Sequence, residues 1–414
     1  MKGIKHFYAI LLVVLVAGSI FSCAPSEWAV KIDNKYITIK EFTDLYYTQN
    51  KILFAKDRAG IDKMAKDLES LSPRQRQYYG QMLDKKLFLE SVINQQLVFT
   101  KAQDDKEIDQ NELKTVLKIF EMKMLSSYFV KEKLSKEVKI SIKEVNDFYN
   151  KNRRLFRNLP LTDEIVERIK LNIQQKKIEQ KSEEYLKKLS DKSKINRSGF
   201  KEYIDPKKKN KKGWVVKINN HTVSIEDFEN YYYTEHKIYM NMDKKELDKL
   251  AKDAKGIILK KYPTIKKENY LQGLVQGFLV YDKAIKELPK EVLVPLQKLI
   301  KLRAVNAYYV SVKLKSKIKV DEDTIAKFYA KYKNRAKFLI GKPLNDKTKM
   351  YIKRVVMEQK FKYETAKFVR ELKDEYQIDR SGFTDYMKKQ EKKKEIKKSD
   401  TKTDNTKKKT DTKK

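Results

Sequence analysis

Hydrophobic and polar positions alternate around two short turns. Val30 and Ile32, then Asp33-Asn34-Lys35, then Ile37 and Ile39 form one such pattern. Val216 and Ile218, then Asn219-Asn220, then Val223 and Ile225 form the other. Period-two alternation around turn-forming residues predicts two β-hairpins. After each hairpin the period lengthens. Thr38-x-x-Glu41 and Ser224-x-x-Asp227 place a hydroxyl and a carboxylate three residues apart, the spacing with which a helix start caps its own free N–H groups. Leu89, Val92, Ile93, Gln96 and Leu97 share one helical face. Ser141-x-x-Glu144 caps another helix, which carries Val145, Phe148 and Tyr149. Ile165, Ile169 and Ile173 open the next, with Tyr185, Leu186 and Leu189 further along it. Ile195 and Ile378 each follow a long helical run and are expected in short extended pieces that pair with the hairpin opening their own unit. Eleven Gly and eight Pro in 414 residues are few punctuators, in keeping with a mainly helical chain.

The order of these patterns occurs twice. "WAVKIDNKYITIKEFTDLYYTQNKILF" (Trp28 to Phe54) aligns without a gap to "WVVKINNHTVSIEDFENYYYTEHKIYM" (Trp214 to Met240), with 12 of 27 positions identical. "VKISIKEVNDFYNK" from Val138 corresponds to "IKVDEDTIAKFYAK" from Ile318, and "RSGF" occurs at Arg197–Phe200 and again at Arg380–Phe383. A tandem duplication follows, with units over 28–205 and 214–387. Residues 206–213, rich in lysine with one Pro and one Gly, read as an exposed basic linker. Residues 388–414 have almost no apolar side chain to offset the entropy of ordering, so this Lys-rich tail is expected to be disordered.

The first 23 residues are patterned differently. Lys2 and Lys5 precede an apolar run of 15 residues, Phe7 to Phe21, which is short for a membrane span and suited to a signal peptide (1–22). It ends in Ile20-Phe21-Ser22-Cys23, which resembles a relaxed bacterial lipobox. Cys23 is the one cysteine of the chain. No disulfide framework is available, and a thiol consumed by lipidation (palmitate among its acyl groups) would leave no free thiol in an exported protein. An N-terminal membrane anchor or an ordinary secretory signal is the alternative. The expected mature chain begins at Cys23, with 23–27 its lipidated N-terminus. It sits outside the cytoplasm in a bacterial cell envelope, on the outer membrane facing the periplasm.

The set of hairpin, capped helix, long helices and terminal helix resembles the N-terminal chaperone module of the SurA/PrsA type of exported folding factors. The residues that carry the resemblance are Val30 to Phe42 and Val216 to Phe228, the helix Ser141 to Tyr149, and the helix Ile169 to Lys177. The implied fold is mainly α: two tandem SurA-N-like helical units, each with a short β-hairpin at its start. In that family a parvulin prolyl-isomerase domain is usually inserted before the terminal helix. Here Phe156 is joined to Leu161 by "RNLP" and Phe338 to Leu344 by "LIGKP", so the resemblance implies the chaperone part alone and no isomerase.

Charge and chemistry narrow the rest. The formal charge of +37 fits either anionic partners or simply solvated lysine faces. Export removes nucleic acid as a partner. The three histidines, His6, His221 and His236, show no metal-ligand spacing, and there is no G-x-S-x-G, P-loop or G-x-G-x-x-G. Glu183-Glu184 reads as a solvated pair facing Lys187 and Lys188. No catalytic residue, metal site or cofactor is expected. Tyr46, Tyr47, Tyr231, Tyr232 and Tyr233 are candidate client contacts, because tyrosine offers apolar area with a polar tip at low entropic cost. Ordinary core packing is the alternative for each. The expectation is a lipid-anchored, non-catalytic chaperone or holdase for unfolded exported polypeptides. The alternative is a structural surface lipoprotein that binds an anionic envelope polymer or a protein partner.

Overall fold

The computed structural model describes residues 27–392 apart from 55, 157–158, 206, 208–212, 241, 255, 257–258, 260–261, 316 and 337. The expected signal peptide, Cys23, most of the linker and the tail from 393 onward lie outside the described residues.

Strands β1 (Trp28–Ile32) and β2 (Lys35–Thr38) lead into helix α1 (Ile39–Phe54). There follow α2 (Arg58–Lys66), α3 (Pro73–Leu83), α4 (Lys85–Asp104), α5 (Gln110–Ser135), α6 (Ile142–Lys151) and α7 (Asp163–Asp191). The short β3 (Ile195–Asn196) and α8 (Ser198–Tyr203) come next. The opening then recurs as β4 (Trp214–Ile218), β5 (His221–Ser224) and α9 (Ile225–Met240). After it come α10 (Lys244–Asp253), α11 (Lys267–Glu287), α12 (Lys290–Lys315), α13 (Glu322–Tyr332), α14 (Asp346–Glu375), β6 (Ile378–Asp379) and α15 over 381–392. The protein is mainly helical, with two small antiparallel sheets among the described residues. Among the described residues no helix is long and apolar enough to cross a membrane.

Local chemistry accounts for the helix starts. The Ser141 hydroxyl accepts from the Glu144 N–H at 3.2 Å while the Glu144 carboxylate accepts from the Ser141 N–H at 2.9 Å, a complete capping box. Thr38 Oγ1 accepts from Glu41 N at 3.1 Å, and Ser224 Oγ from Asp227 N at 2.9 Å. Ile39 and Ile225, the last apolar positions of each alternating pattern, are already the first helical residues. α15 runs to 392, into the stretch expected as tail, and Lys389 reaches Glu27 at 3.3 Å.

The sheets show an exchange that the repeat alone did not predict. The order in one is β2-β1-β6 and in the other β3-β4-β5. Lys31 pairs with Asp379 and Ile32 with Ile378, while Ile195 pairs with Ile218 and Asn196 with Lys217. Each short closing strand therefore completes the hairpin of the other sequence repeat, not its own. The turn residues hold it there. Asp33 and Asn219 adopt the left-handed region, φ 48° and 51°, which Asp and Asn tolerate better than most residues. The Asp33 N–H donates to Gln377 O at 2.9 Å and its carboxylate accepts from Gln377 N at 2.8 Å. Asn219 does the same with Lys194, at 2.8 and 3.0 Å.

Contacts divide the chain into two compact units. One is formed by the described residues of Met1–Lys51, Lys56–Leu97 and Lys367–Lys414, the other by Ile52–Ala55 and Val98–Ala366. The repeat boundaries fall inside the second. The core of the first includes Phe42, Tyr46, Phe88 and Phe383, with Phe42 edge-on to Phe383 at 5.2 Å. The second has a core of Val216, Ile218, Phe228, Tyr232 and Val275, and another where α5 carries Leu125 and Phe129 against Val280 and Ile300. Two smaller clusters complete it. Val145, Tyr149 and Ile169 join α6 to α7, and Ile325, Ile352 and Val356 join α13 to α14.

Candidate functional site

Adjacent residues on a helix point about 100° apart, so the paired tyrosines of α1 and α9 serve different neighbours. Tyr46 turns inward, fully buried, and its hydroxyl donates to Leu83 O at 2.7 Å. Tyr232 turns inward likewise and donates to Ile265 O at 2.5 Å. The next residues, Tyr47 and Tyr233, donate to Asp62 and Asp248, each at 2.9 Å. Tyr231 packs on Phe278 at 6.4 Å. Lys267 Nζ donates to Tyr203 OH at 2.7 Å and lies over the rings of Tyr203, Tyr232 and Tyr233 at 5.0–5.4 Å. Lys85 lies over Tyr46 and Tyr47 at 5.3 and 5.5 Å in the other unit. Burial pushes the Lys267 ammonium down, and burial followed by the Asp248 hydrogen bond pushes the Tyr233 phenol up. Four of the candidate client contacts, Tyr46, Tyr47, Tyr232 and Tyr233, thus serve within their units as donors and ring walls around a lysine, while Tyr231 packs on Phe278.

The second unit has an open groove of about 740 Å³, within the range of ligand-holding clefts. It is lined by the end of α1, by α5, by α7 and by α11, elements far apart in the chain. One face of α7 supplies a wall, because Leu171, Gln174, Ile178 and Ser182 recur at intervals of three and four residues. Leu53 and Val130 add apolar surface from α1 and α5. Leu53 is 46% exposed and Leu171 64% exposed, large apolar side chains left open to solvent.

Small residues keep the groove from filling. A Cβ on Gly277 would lie 3.1 Å from Met122 Sδ, so α11 comes close to α5 there, and Ser126 Oγ donates to Gly277 O at 3.2 Å. Ser126, Ser127 and Gly277 give a low floor where bulkier residues would close it. Polar groups stand among the apolar ones. Gln175 is tied to Glu179 at 3.1 Å. Among the described residues, the Gln174 and Gln276 side-chain amides bond to no other group and can donate and accept. An amide beside apolar walls suits a ligand that has backbone N–H and C=O groups as well as apolar side chains.

Buried and half-buried ionisable groups around α9 and α11 are engaged with neighbouring groups. Lys123 pairs with Glu235, which also accepts from Tyr270 OH at 3.1 Å, and His236 Nδ1 bonds Tyr232 O at 2.7 Å. His221 meets the Asp282 carboxylate at 2.9 Å. Among the described residues no group of three His, Cys, Asp or Glu is placed to hold a metal ion. His6 and Cys23 lie outside the described residues. Sequence reasoning missed the groove. Its residues are scattered from position 53 to 280, and the one local hint was the serine pair Ser126-Ser127 within a helix.

The chain matches no protein-family model, no curated protein and no solved structure.

Proposed function

We propose that this protein is a non-catalytic chaperone of the bacterial cell envelope, anchored to a membrane through acylated Cys23, that shields unfolded segments of exported polypeptides. The observation that carries the reading is the open groove of the second unit, with exposed leucines and unengaged amides side by side. Apolar walls take side chains without regard to their order. Amides satisfy the backbone, which every client shares. Binding of this kind shields a client without transforming it, and needs no acid, base or nucleophile. The signal-like N-terminus and the SurA-like order of motifs support the same reading, the former because an apolar run ending at a lipobox-like cysteine suits export.

The test is suppression of aggregation of a denatured outer-membrane protein by the chain lacking residues 1–23, at low and at high salt. Salt screens exposed charges over distances beyond about 8–10 Å and leaves apolar capture intact. Suppression that persists at high salt supports the groove. Suppression that disappears with salt leaves only lysine electrostatics and favours a structural lipoprotein that binds anionic polymer.

A further inference from the structure

The α13–α14 region of the second unit carries a surface that the groove does not use. From Lys331 to Arg354 the chain has nine basic residues and one acidic residue, Asp346. The corresponding turn of the first repeat, from Lys151 to Ile173, has six basic and three acidic residues. Concentrated charge of one sign is ordinarily solvated and hydrophilic. Here it is mixed with large apolar side chains turned outward. Ile340 is 55% exposed, Met350 70% and Tyr351 42%.

The arrangement is built. Gly341 at φ +71° turns the chain after Ile340, and the Lys342 N–H closes the turn onto Leu339 O at 3.0 Å. Tyr329 OH donates to Lys342 O at 2.7 Å and fixes the loop to α13. Leu339 and Ile352 are buried beneath, within 1% of fully covered, so Ile340 and Tyr351 are left on the outside of the same small core. Phe338 meets Tyr351 at 4.7 Å and joins loop to helix. Arg354 lies over the Tyr351 ring at 5.2 Å, an aromatic ring and a cation presented together.

We infer that this turn and the first turns of α14 form a docking surface for an anionic lipid bilayer. Charge complementarity selects the occupant. Lysines and arginines near a negative leaflet each gain about 1 kcal/mol, while exposed aliphatic side chains gain only where an apolar phase lies beneath the charge. A soluble polyanion would use the cations and leave Ile340 and Met350 in water. The surface would not be needed to keep a multiply acylated chain on the bilayer; it would hold the second unit against it. It does not depend on the groove or on what the groove binds.

The test is flotation of the chain beginning at Ala24, which carries no acyl group, with vesicles of phosphatidylcholine alone or with 30% phosphatidylglycerol (roughly the anionic fraction that attracts basic surfaces). Binding is expected with the anionic vesicles only. Ile340→Ser with Met350→Ser should lower partitioning about tenfold while the circular dichroism spectrum and melting temperature are kept, since both side chains are largely exposed. Lys342→Gln with Lys353→Gln and Arg354→Gln should lower it as much. Three outcomes overturn the inference: no binding to anionic vesicles, loss with the charge variants but not with Ile340→Ser/Met350→Ser, or loss only on deletion of residues 393–414.

Discussion

Gly382 lies against Trp28, 354 positions away in the chain: a Cβ on Gly382 would fall 2.1 Å from the Trp28 carbonyl oxygen. Gly199 meets Trp214 O at the same distance. No side chain fits at that separation, and the obstructing atom is backbone, which cannot swing aside. Every letter of RSGF has such a task. Arg380 Nε bonds Glu90 at 2.6 Å and Arg197 bonds Gln272 at 2.9 Å. The serine N–H groups are accepted by Asp379 and Asn196 at 2.8 and 2.9 Å. Phe383 meets Phe42 edge-on, and Phe200 meets Phe228. Gly199→Ala and Gly382→Ala are therefore expected to destabilise their units by more than the ~1–3 kcal/mol usual for overpacking. Gly273→Ala, in α11 with nothing within 4 Å of its Cβ, should instead stabilise by about 0.5–1 kcal/mol. Urea unfolding of the three variants makes the comparison. Equal effects of Gly273→Ala and Gly382→Ala would mean the Trp28 seat is not rigid.

The buried tyrosine hydroxyls give a second prediction. Tyr46→Phe and Tyr232→Phe keep the ring and leave Leu83 O or Ile265 O without its donor. A buried acceptor left unpaired costs about 1–3 kcal/mol. Each variant should lose stability in that range in chemical denaturation and keep the wild-type capacity to suppress aggregation. Loss of capture without loss of stability would return the tyrosines to the client surface.

Hairpins, helix caps and the placement of Ile195 and Ile378 in strands were legible because local spacing determines them. The partner of each strand was not. Both closing segments carry RSGF and follow an apolar residue that suits either hairpin, so composition at the seat cannot choose between them. The choice is made by chain connection and by packing over hundreds of residues. For the tyrosines, period alone showed that a pair cannot share one face. It could not show that Asp62 and Asp248 wait on the neighbouring helix. The wall of α7 was hidden differently: Ile165, Ile169 and Ile173 mark its core face, while Leu171, Gln174 and Ile178 form a second, mixed face whose meaning depends on what stands opposite.

Glu90 ties the closing segment to α4, and its ion pairs with Arg380 and Lys373 give a pH-dependent prediction for the first unit. Burial works to raise its carboxyl, but hydrogen bonds from Arg380 and Lys373 outweigh burial and hold it below the ordinary value of 4.5. A carboxyl lowered on folding stabilises fully above its unfolded value, and that contribution is lost as pH falls through the folded value. The melting temperature of the native protein should therefore exceed that of Glu90→Gln at pH 7, with the gap narrowing below about pH 4.5. Melting curves of both proteins from pH 7 to pH 3 measure the gap directly. A gap that stays constant to pH 3 would show that Glu90 acts through shape and not through charge.

The groove is the last and most direct test. Leu171 is 64% exposed, so Leu171→Glu removes little burial and should shift stability by no more than about 0.5 kcal/mol. It places a charge in the apolar wall, and client capture at high salt should fall severalfold. Leu155→Glu is the matched control: Leu155 is 69% exposed and lies outside the groove. Gln174→Ala with Gln276→Ala removes the unengaged amides. If each makes one net hydrogen bond to a client backbone, worth about 0.5–1.5 kcal/mol, affinity for a short unfolded peptide should drop about five- to a hundredfold. Capture that survives all three groove substitutions and Leu155→Glu alike would place client binding elsewhere on the chain. Loss confined to the groove variants would tie function to this groove, where leucines and free amides stand together.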